Sequence, residues 1–419
     1  MAKEPMLSVD EALKRLLASA ERPRLSDTVA LAQAHGRRLA HPLAARRTQP
    51  PANLSAMDGY AVRAADIATL PAKLKLIGTS AAGHGFNGAI SPGETVRIFT
   101  GARVPQGADT ILIQEDAEVD GDIITAKFSE PLGRHVRGAG LDFKEGDVLL
   151  EAGRLMGPAE LALAAAMNHA TVDVVRKPLV AILATGDELL PPGSSPGPDE
   201  IIASNNFAVG AYLRQAGAEV LDLGIAGDNF AALETAIRRA RDAKADVLVT
   251  LGGASVGDHD LVQSALKREG MELGFWRIAM RPGKPFMHGR IDDMLIAGLP
   301  GNPVSAIVCC VLFVLPMIRA LCGDSAAGRD PTIAAVLGED VPANDVRQDY
   351  LRARLQHDSD GLPVATAFKR QDSSMLGILA EAQGLIVRQP HAPKAQKGDP
   401  CRVVPLDQYG FGRASILAT

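Results

Sequence analysis

Apolar residues recur along this chain with three different rhythms. Near the start, "SVDEALKRLLASA" carries apolar positions at helical spacing behind Ser8 and Glu11, a capping-box pattern. Residues 1–50 read as helical on this basis. From "RRTQPPANLSAMDGYAV" to about residue 140 the rhythm shortens to β-like runs broken by Gly, Pro and Asp, with "KLKLIGTS", "ETVRIFTG" and "DTILIQED" the clearest strands. "PAELALAAAMNHA", residues 158–170, returns to helix, begun by proline in its first turn and leading back toward the N-terminal helix.

From Lys177 to about Gly323 apolar strands alternate with helices. "LVAILATG", "EVLDLGIAG", "DVLVTLGG" and "MLIAGLPG" are the strands; "NFAVGAYLRQAG", "NFAALETAIRRARDA" and "LVQSALKREG" have helical periodicity. Near-continuous apolar strands joined through helices predict a mostly parallel sheet covered on both faces. "WRIAMRPGKPFMHGRIDDMLIAG" is too dense in strands for helical crossovers, so an antiparallel hairpin is expected at one edge. "AIVCCVLFVLPMI", residues 306–318, is shorter than the roughly 20 residues a membrane span needs and reads as a buried helix. After the linker-like "GDSAAGRDP", residues 331–419 return to short strands, a small β domain whose periodicity fits a barrel or a sandwich equally.

Length and composition narrow the function. A chain of 419 residues implies two to four domains. A net charge of -5, one Trp and four Tyr give neither a broad cationic surface nor stacking platforms, so nucleic acid is not expected as a partner, and the buried reading of residues 306–318 leaves no membrane expected either. The four cysteines show no C-x-x-C spacing and suggest neither zinc nor disulfides, which fits a reducing cytoplasm, and the N-terminus has no signal-peptide pattern.

In an open parallel sheet, ligands bind beyond the carboxyl ends of the strands. The loops behind the four apolar strands are "TGDELLPPG" with Asp187 and Glu188, "AGDN" with Asp228, "GGASVGDHD" with Asp260, and "LPGNPVSA" with Asn302 and Ser305. Asp228, Asp260, Asn302 and Ser305 also stand close to helix starts, where capping alone would account for each at about 1 kcal/mol. Together they say more, because carboxylates gathered at one sheet edge repel one another unless a cation or a function compensates. Glycines admit an anion to backbone N–H groups, and acids beside such cradles suit a phosphorylated ligand held with Mg²⁺. "RIAMRPGKP" adds Arg277, Arg281 and Lys284, stiffened by Pro282 and Pro285 into a receptor for an oxyanion.

Gly253, Ser255 and Gly257 spell G-x-S-x-G between a strand and a helix, the setting of a hydrolase nucleophile. The partners fail. After Ser255 the histidines are His259 in the same loop, His288 in the hairpin, and His357 and His391 beyond the linker, and no oxyanion segment precedes it. Ser255 is therefore expected to be a hydrogen-bonding ligand group. "GHGFNG" formally fits G-x-G-x-x-G, but "AISPGE" behind it cannot begin the helix a dinucleotide site requires. "SAMDGYAV" around Asp58, "FTGARVPQGAD" around Thr100 and "RGAGLDFKEGD" around Asp142 read by themselves as turns and polar loops.

As a set, "PPANLSAMDGYAVRAADI", "IFTGARVPQGADTILIQED", "GRHVRGAGLDFKEGD", "ILATGDELLPPG", "VTLGGASVGDHD", "MRPGKPF" and "GLPGNPVSA" resemble, in that order, the molybdopterin molybdenumtransferase family, MoeA and the gephyrin E domain. The resemblance spans nearly the whole chain. It implies a multidomain α/β plus β fold: an extended linking region (1–50, completed by 141–176), a β-rich lobe (51–140), a mostly parallel α/β domain of the molybdopterin-binding type (177–327) and a C-terminal β-barrel (328–419), in elongated homodimers. The implied activity is insertion of molybdate into the dithiolene of adenylylated molybdopterin, with release of AMP aided by a divalent cation, Mg²⁺. Glu188, Asp228 and Asp260 would form the acidic centre, Glu188 and Asp228 holding the metal. Gly252, Gly253, Ser255, Pro300, Gly301, Asn302, Pro303 and Ser305 would line the substrate cleft. Arg281, Lys284, Arg352 and Ser373 would hold molybdate, with Arg281 replacing a commoner lysine and Ser374 competing with Ser373 for register. Asp58, Thr100 and Asp142 match residues that the family contributes to the same cleft from the partner subunit. Contact with a molybdopterin adenylyltransferase and with cofactor-acceptor enzymes would be expected too. A scaffold role, as in gephyrin, is the alternative of a different class, and retention of the acids speaks for catalysis.

Overall fold

Four apolar runs become four neighbouring strands of a six-stranded sheet. In chain order its strands are β1 (Leu179–Thr185), β2 (Glu219–Ala226), β3 (Val247–Leu251), β4 (Glu272–Arg277), β5 (Pro285–Ile291) and β6 (Met294–Leu299), arranged 2-1-3-6-5-4. β2, β1, β3 and β6 are parallel, while β5 and β4 add the antiparallel edge. β1, β3 and β6 are buried along nearly their whole length, which is why they read as runs rather than alternations. The computed structural model describes residues 6–21, 25–253, 261–356 and 361–406. It divides into two units, Met1–Asp27 with Val175–Thr419, and Thr28–Val174.

In the first unit both sheet faces are covered. α1 (Val9–Ser19), α2 (Asn205–Gln215) and α5 (Pro303–Leu321) pack with Val180, Ile182, Val247 and Val249. α3 (Phe230–Asp242) and α4 (Leu261–Arg268) pack with Ala181, Leu183 and Leu248 on the other face. Each fully buried Val or Leu here stabilises the fold by about 1.5–3 kcal/mol relative to exposure. α5 is a 19-residue helix, long and apolar enough to cross a membrane but mostly buried within this core. A π turn at Cys310–Val314 precedes Pro316, which has no N–H to donate to the helical ladder.

Five further strands, β7 (Ile333–Leu337), β8 (Gln348–Gln356), β9 (Val364–Ala367), β10 (Gly384–Arg388) and β11 (Pro400–Pro405), pair in the closed order 8-9-7-11-10-8. The C-terminal β domain is thus a barrel, its edges removed by the β8–β10 pairing. Met280–Arg281 adds to it as a short parallel strand beside Gln348–Asp349.

The second unit holds a curled six-stranded sheet ordered Thr110–Ile113, Gly59–Val62, Glu94–Ile98, Ala72–Ser80, Ile123–Ala126, Ala117–Asp120. It also holds the helix Pro158–Ala166 over a small core of Leu39, Leu150, Met156 and Val174. The expectation of helix through residue 50 is corrected here. Helix ends at Ser19, and Ser26–Ala30 is a strand paired with Thr171–Val175. Its exposure alternates residue by residue, and β-branched Thr28 and Val29 suit that pleat better than a helix.

Candidate functional site

At the carboxyl ends of β1, β3 and β6 lies a cavity of about 840 Å³. Its wall includes Glu188 and Asp228, the glycines Gly252 and Gly253, and Pro300, Gly301, Asn302 and Pro303 at the start of α5. The loops after all four parallel strands therefore converge on one space. Ser255 and Asp260 lie outside the described residues.

Local chemistry explains the positions. Gly186 has φ +147°, and a Cβ there would fall 2.5 Å from Oε2 of Glu188, so the turn after β1 closes against that carboxylate. Gly252 has φ +103°, and a Cβ there would meet the Thr185 carbonyl at 2.6 Å. Asp228 is not the cap of α3. Asn229 is, its Oδ1 accepting the Ala232 N–H at 2.9 Å, which leaves the Asp228 carboxylate to the cavity. The Asp228 N–H instead donates to Oδ1 of Asp187 at 2.8 Å. Burial, then the charges of Asp187 and Glu188, push the Asp228 carboxyl above the ordinary carboxylate range. Asn302 stands at the N-cap of α5 but makes no side-chain cap; Pro303 has no N–H to satisfy, the Val304 N–H donates to the Ser373 carbonyl, and the positive end of the helix dipole faces the cavity wall.

The pair Glu188 and Asp228 fits a divalent cation of the Mg²⁺ type, which is held by one or two carboxylates and completed by substrate phosphate and water. Burial first, then like-charge repulsion, raises Asp228, and such an ion would offset both. Among the described residues no group of three or more His, Cys, Asp or Glu could hold a metal without such help.

The basic residues sit apart from this wall. Arg281 donates from Nε to Oδ1 of Asp349 at 2.9 Å and from Nη2 to Oδ2, with Asp345 at 3.6 Å from Nη1. Lys284 is half-buried one residue before Pro285, which does line the cavity. Arg352 is 1% exposed; its Nε donates to Oε1 of Gln371 at 3.2 Å, and among the described residues no carboxylate forms an ion pair with it. The loop over it reaches the site, because the Ser373 carbonyl accepts the Val304 N–H of α5 at 3.0 Å and Ser374 lines the cavity. Ser373 itself does not line it, and Ser305 is buried inside α5. His288 is buried, its Nδ1 3.0 Å from the Ile296 carbonyl, and is not part of the cavity wall.

In the second unit Asp58 and Thr100 are joined, Oδ1 of Asp58 accepting both the Thr100 N–H (2.7 Å) and its hydroxyl (2.8 Å). The Thr100 backbone N–H first, then its hydroxyl, holds the Asp58 carboxyl below its ordinary range. Asp142 is exposed, its N–H donating to the Gln49 carbonyl at 3.0 Å.

Sequence reasoning missed Thr185, Asn205 and Asn206, which also line the cavity. Asn205 donates from Nδ2 to the Gly301 carbonyl at 2.8 Å, tying the start of α2 to the start of α5. Among the described residues the buried Thr185 hydroxyl and Asn205 Oδ1 have no hydrogen-bond partner. "SNN" opening a predicted helix was the available signal.

Comparison with known proteins matches this arrangement. Residues 7–168 match the MoeA N-terminal region (domain I and II), 181–320 a probable molybdopterin binding domain, and 334–406 the MoeA C-terminal region (domain IV). A molybdopterin molybdenumtransferase of Haemophilus influenzae is 32% identical over 404 residues, 96% of this chain and 99% of that protein. The chain belongs to the molybdopterin molybdenumtransferase family. The Bacillus subtilis molybdopterin molybdenumtransferase is 34% identical over 92% of this chain and 91% of its own. A molybdopterin biosynthesis MoeA protein from Pyrococcus horikoshii superposes with a TM-score of 0.83 at 29% identity, covering 95% of this chain and 98% of that one. Membership in the molybdopterin molybdenumtransferase family places the chain in molybdenum cofactor biosynthesis.

Proposed function

We propose that this cavity holds adenylylated molybdopterin and that the chain inserts molybdate into its dithiolene with Mg²⁺-dependent release of AMP. The observation that carries the reading is the meeting of Glu188 and Asp228 at one wall, with Asp228 disfavoured as an anion by burial and by its neighbours. A bound Mg²⁺ would supply charge neutralisation of the phosphate oxygens and of these carboxylates. Gly252 and Gly253 leave that part of the wall without side chains, so a phosphate can come close to the backbone, and the positive dipole end of α5 favours the same negative charge. Arg352, buried without a carboxylate in ion-pair contact among the described residues, suits a dianionic metal oxide that would compensate it. The dithiolene sulfurs belong to the substrate, so no cysteine of the chain takes part.

The same reading has the chain act as a cytoplasmic homodimer. Asp58, Thr100 and Asp142 of one subunit then complete the cavity of the other. A molybdopterin adenylyltransferase supplies the substrate and apo-enzymes receive the product. Protein mixed with adenylylated molybdopterin, Mg²⁺ and molybdate should release AMP only when molybdate is present. Equal AMP with and without molybdate, or none in either case, would exclude the role.

A further inference from the structure

The segment Met280–Lys284 carries two cations three residues apart in sequence, and their surroundings differ. Met280–Arg281 pairs in parallel with Gln348–Asp349, setting Arg281 opposite Asp349. The guanidinium meets both oxygens of that carboxylate through Nε and Nη2, and Asp349 is 4% exposed. A second carboxylate, Asp345, flanks Nη1 at 3.6 Å and also accepts the Arg347 N–H at 2.9 Å. An oxyanion arriving at Arg281 would find the Nε and Nη2 edge occupied and only the Nη1 side open, where Asp345 repels it; to take the fork it would have to leave Asp349 buried without its cation. Lys284 has no such partner: among the described residues no carboxylate lies within ion-pair distance of its ammonium. The segment is anchored where Lys284 leaves it, since the Lys284 carbonyl accepts the Ile278 N–H at 3.0 Å. Gly283 is packed so closely that a Cβ would sit 2.4 Å from Sγ of Cys309. Pro285, the next residue after Lys284, is part of the cavity wall.

We propose that Arg281 is a positioning residue that clamps this segment to Asp349 of the barrel, leaving Lys284 as the cation of the segment that receives the oxyanion. The inference rests on the function proposed above and narrows which groups of that site touch its oxyanion. Lysine in place of arginine could not span both Asp349 oxygens, so the fork at this position serves the clamp.

The test is a double-mutant cycle on Arg281→Met and Asp349→Asn, read by calorimetric titration with inorganic molybdate and by the KM values for molybdate and for adenylylated molybdopterin. As a clamp, each single variant should weaken molybdate by about tenfold through displacement of Lys284, and the double variant should be no worse than either. The KM for adenylylated molybdopterin should not follow. Lys284→Met should weaken molybdate in every background. If Arg281 were itself a ligand, Asp349→Asn would release its guanidinium and leave molybdate binding unchanged or tighter, which would overturn the proposal. Should Arg281→Met not fold, Asp349→Asn decides by itself on the same criterion.

Urea unfolding of the same four proteins separates this from the function reading. The clamp requires Arg281→Met and Asp349→Asn to be coupled by about tenfold or more in the unfolding constant, and additivity would overturn it. Wild-type protein that takes up no molybdate would sink the function reading, while the unfolding cycle still decides the clamp.

Discussion

Gly186→Ala tests the placement of Glu188 with a single added methyl group. At φ +147° an L-residue is strained, at a cost of about 1–3 kcal/mol. The new Cβ would lie 2.5 Å from Oε2, 2.7 Å from Oε1 and 2.8 Å from Cδ of Glu188. Normal carbon contacts begin near about 3.5 Å, so the carboxylate must retreat by roughly 1 Å. Misplacement of a reacting group on that scale costs on the order of 100-fold in turnover, about 2.7 kcal/mol of barrier. Gly193, at φ +91° with nothing within 4 Å of its would-be Cβ, supplies the control, because Gly193→Ala imposes backbone strain without displacing anything. Thermal melts should show both variants lowered by a few degrees. Molybdate-dependent AMP release should fall by about two orders of magnitude for Gly186→Ala only. Wild-type kcat/KM in Gly186→Ala would refute the argument that this turn holds the Glu188 carboxylate at the reacting centre.

Other expectations come from the same geometry. Because the folded Asp228 carboxyl titrates above the ordinary aspartate value, its contribution to stability is present below that value and is lost as pH rises through the folded one. Asp228→Asn should therefore abolish turnover yet melt no lower than wild type at neutral pH, and Mg²⁺ should raise the midpoint of wild type but not of the variant; a lowered midpoint would contradict this. Arg352→Met replaces a buried guanidinium lacking an ion-paired carboxylate among the described residues, and should raise the KM for molybdate by about tenfold or more while leaving urea stability unchanged or higher. Asp246, buried at the opposite end of the sheet, binds Arg176 Nη2 at 2.8 and 3.0 Å and the Leu179 N–H at 2.7 Å. Asp246→Ala should cost about 3 kcal/mol in urea without altering turnover per folded molecule.

What could be read before the structure was set by how local its cause is. β1, β3 and β6 were legible because burial on both faces writes itself into consecutive residues. The strand Ser26–Ala30 was not, since its pairing with Thr171–Val175 lies some 140 residues away and its few apolar positions fit a helix as well. Barrel and sandwich could not be separated because closure depends on β8 meeting β10, a choice that no single strand records. At the site, converging loop acids and glycines were visible from the rule that ligands sit beyond strand ends. Asp228 and Asn229 compete for one cap, and spacing does not say which side chain turns inward; the geometry gives the cap to Asn229. The partner of Arg281 lies 68 positions on, so sequence showed a basic cluster where the fold has an ion pair.

The stoichiometry of one reaction tests the central claim most directly. Purified protein is given adenylylated molybdopterin, Mg²⁺ and limiting molybdate, and AMP by chromatography is compared with molybdenum bound to pterin by elemental analysis. The account predicts one AMP per molybdenum incorporated, both lost in Asp228→Asn. Free AMP without incorporated molybdenum, or incorporation that survives the loss of Asp228, would contradict it.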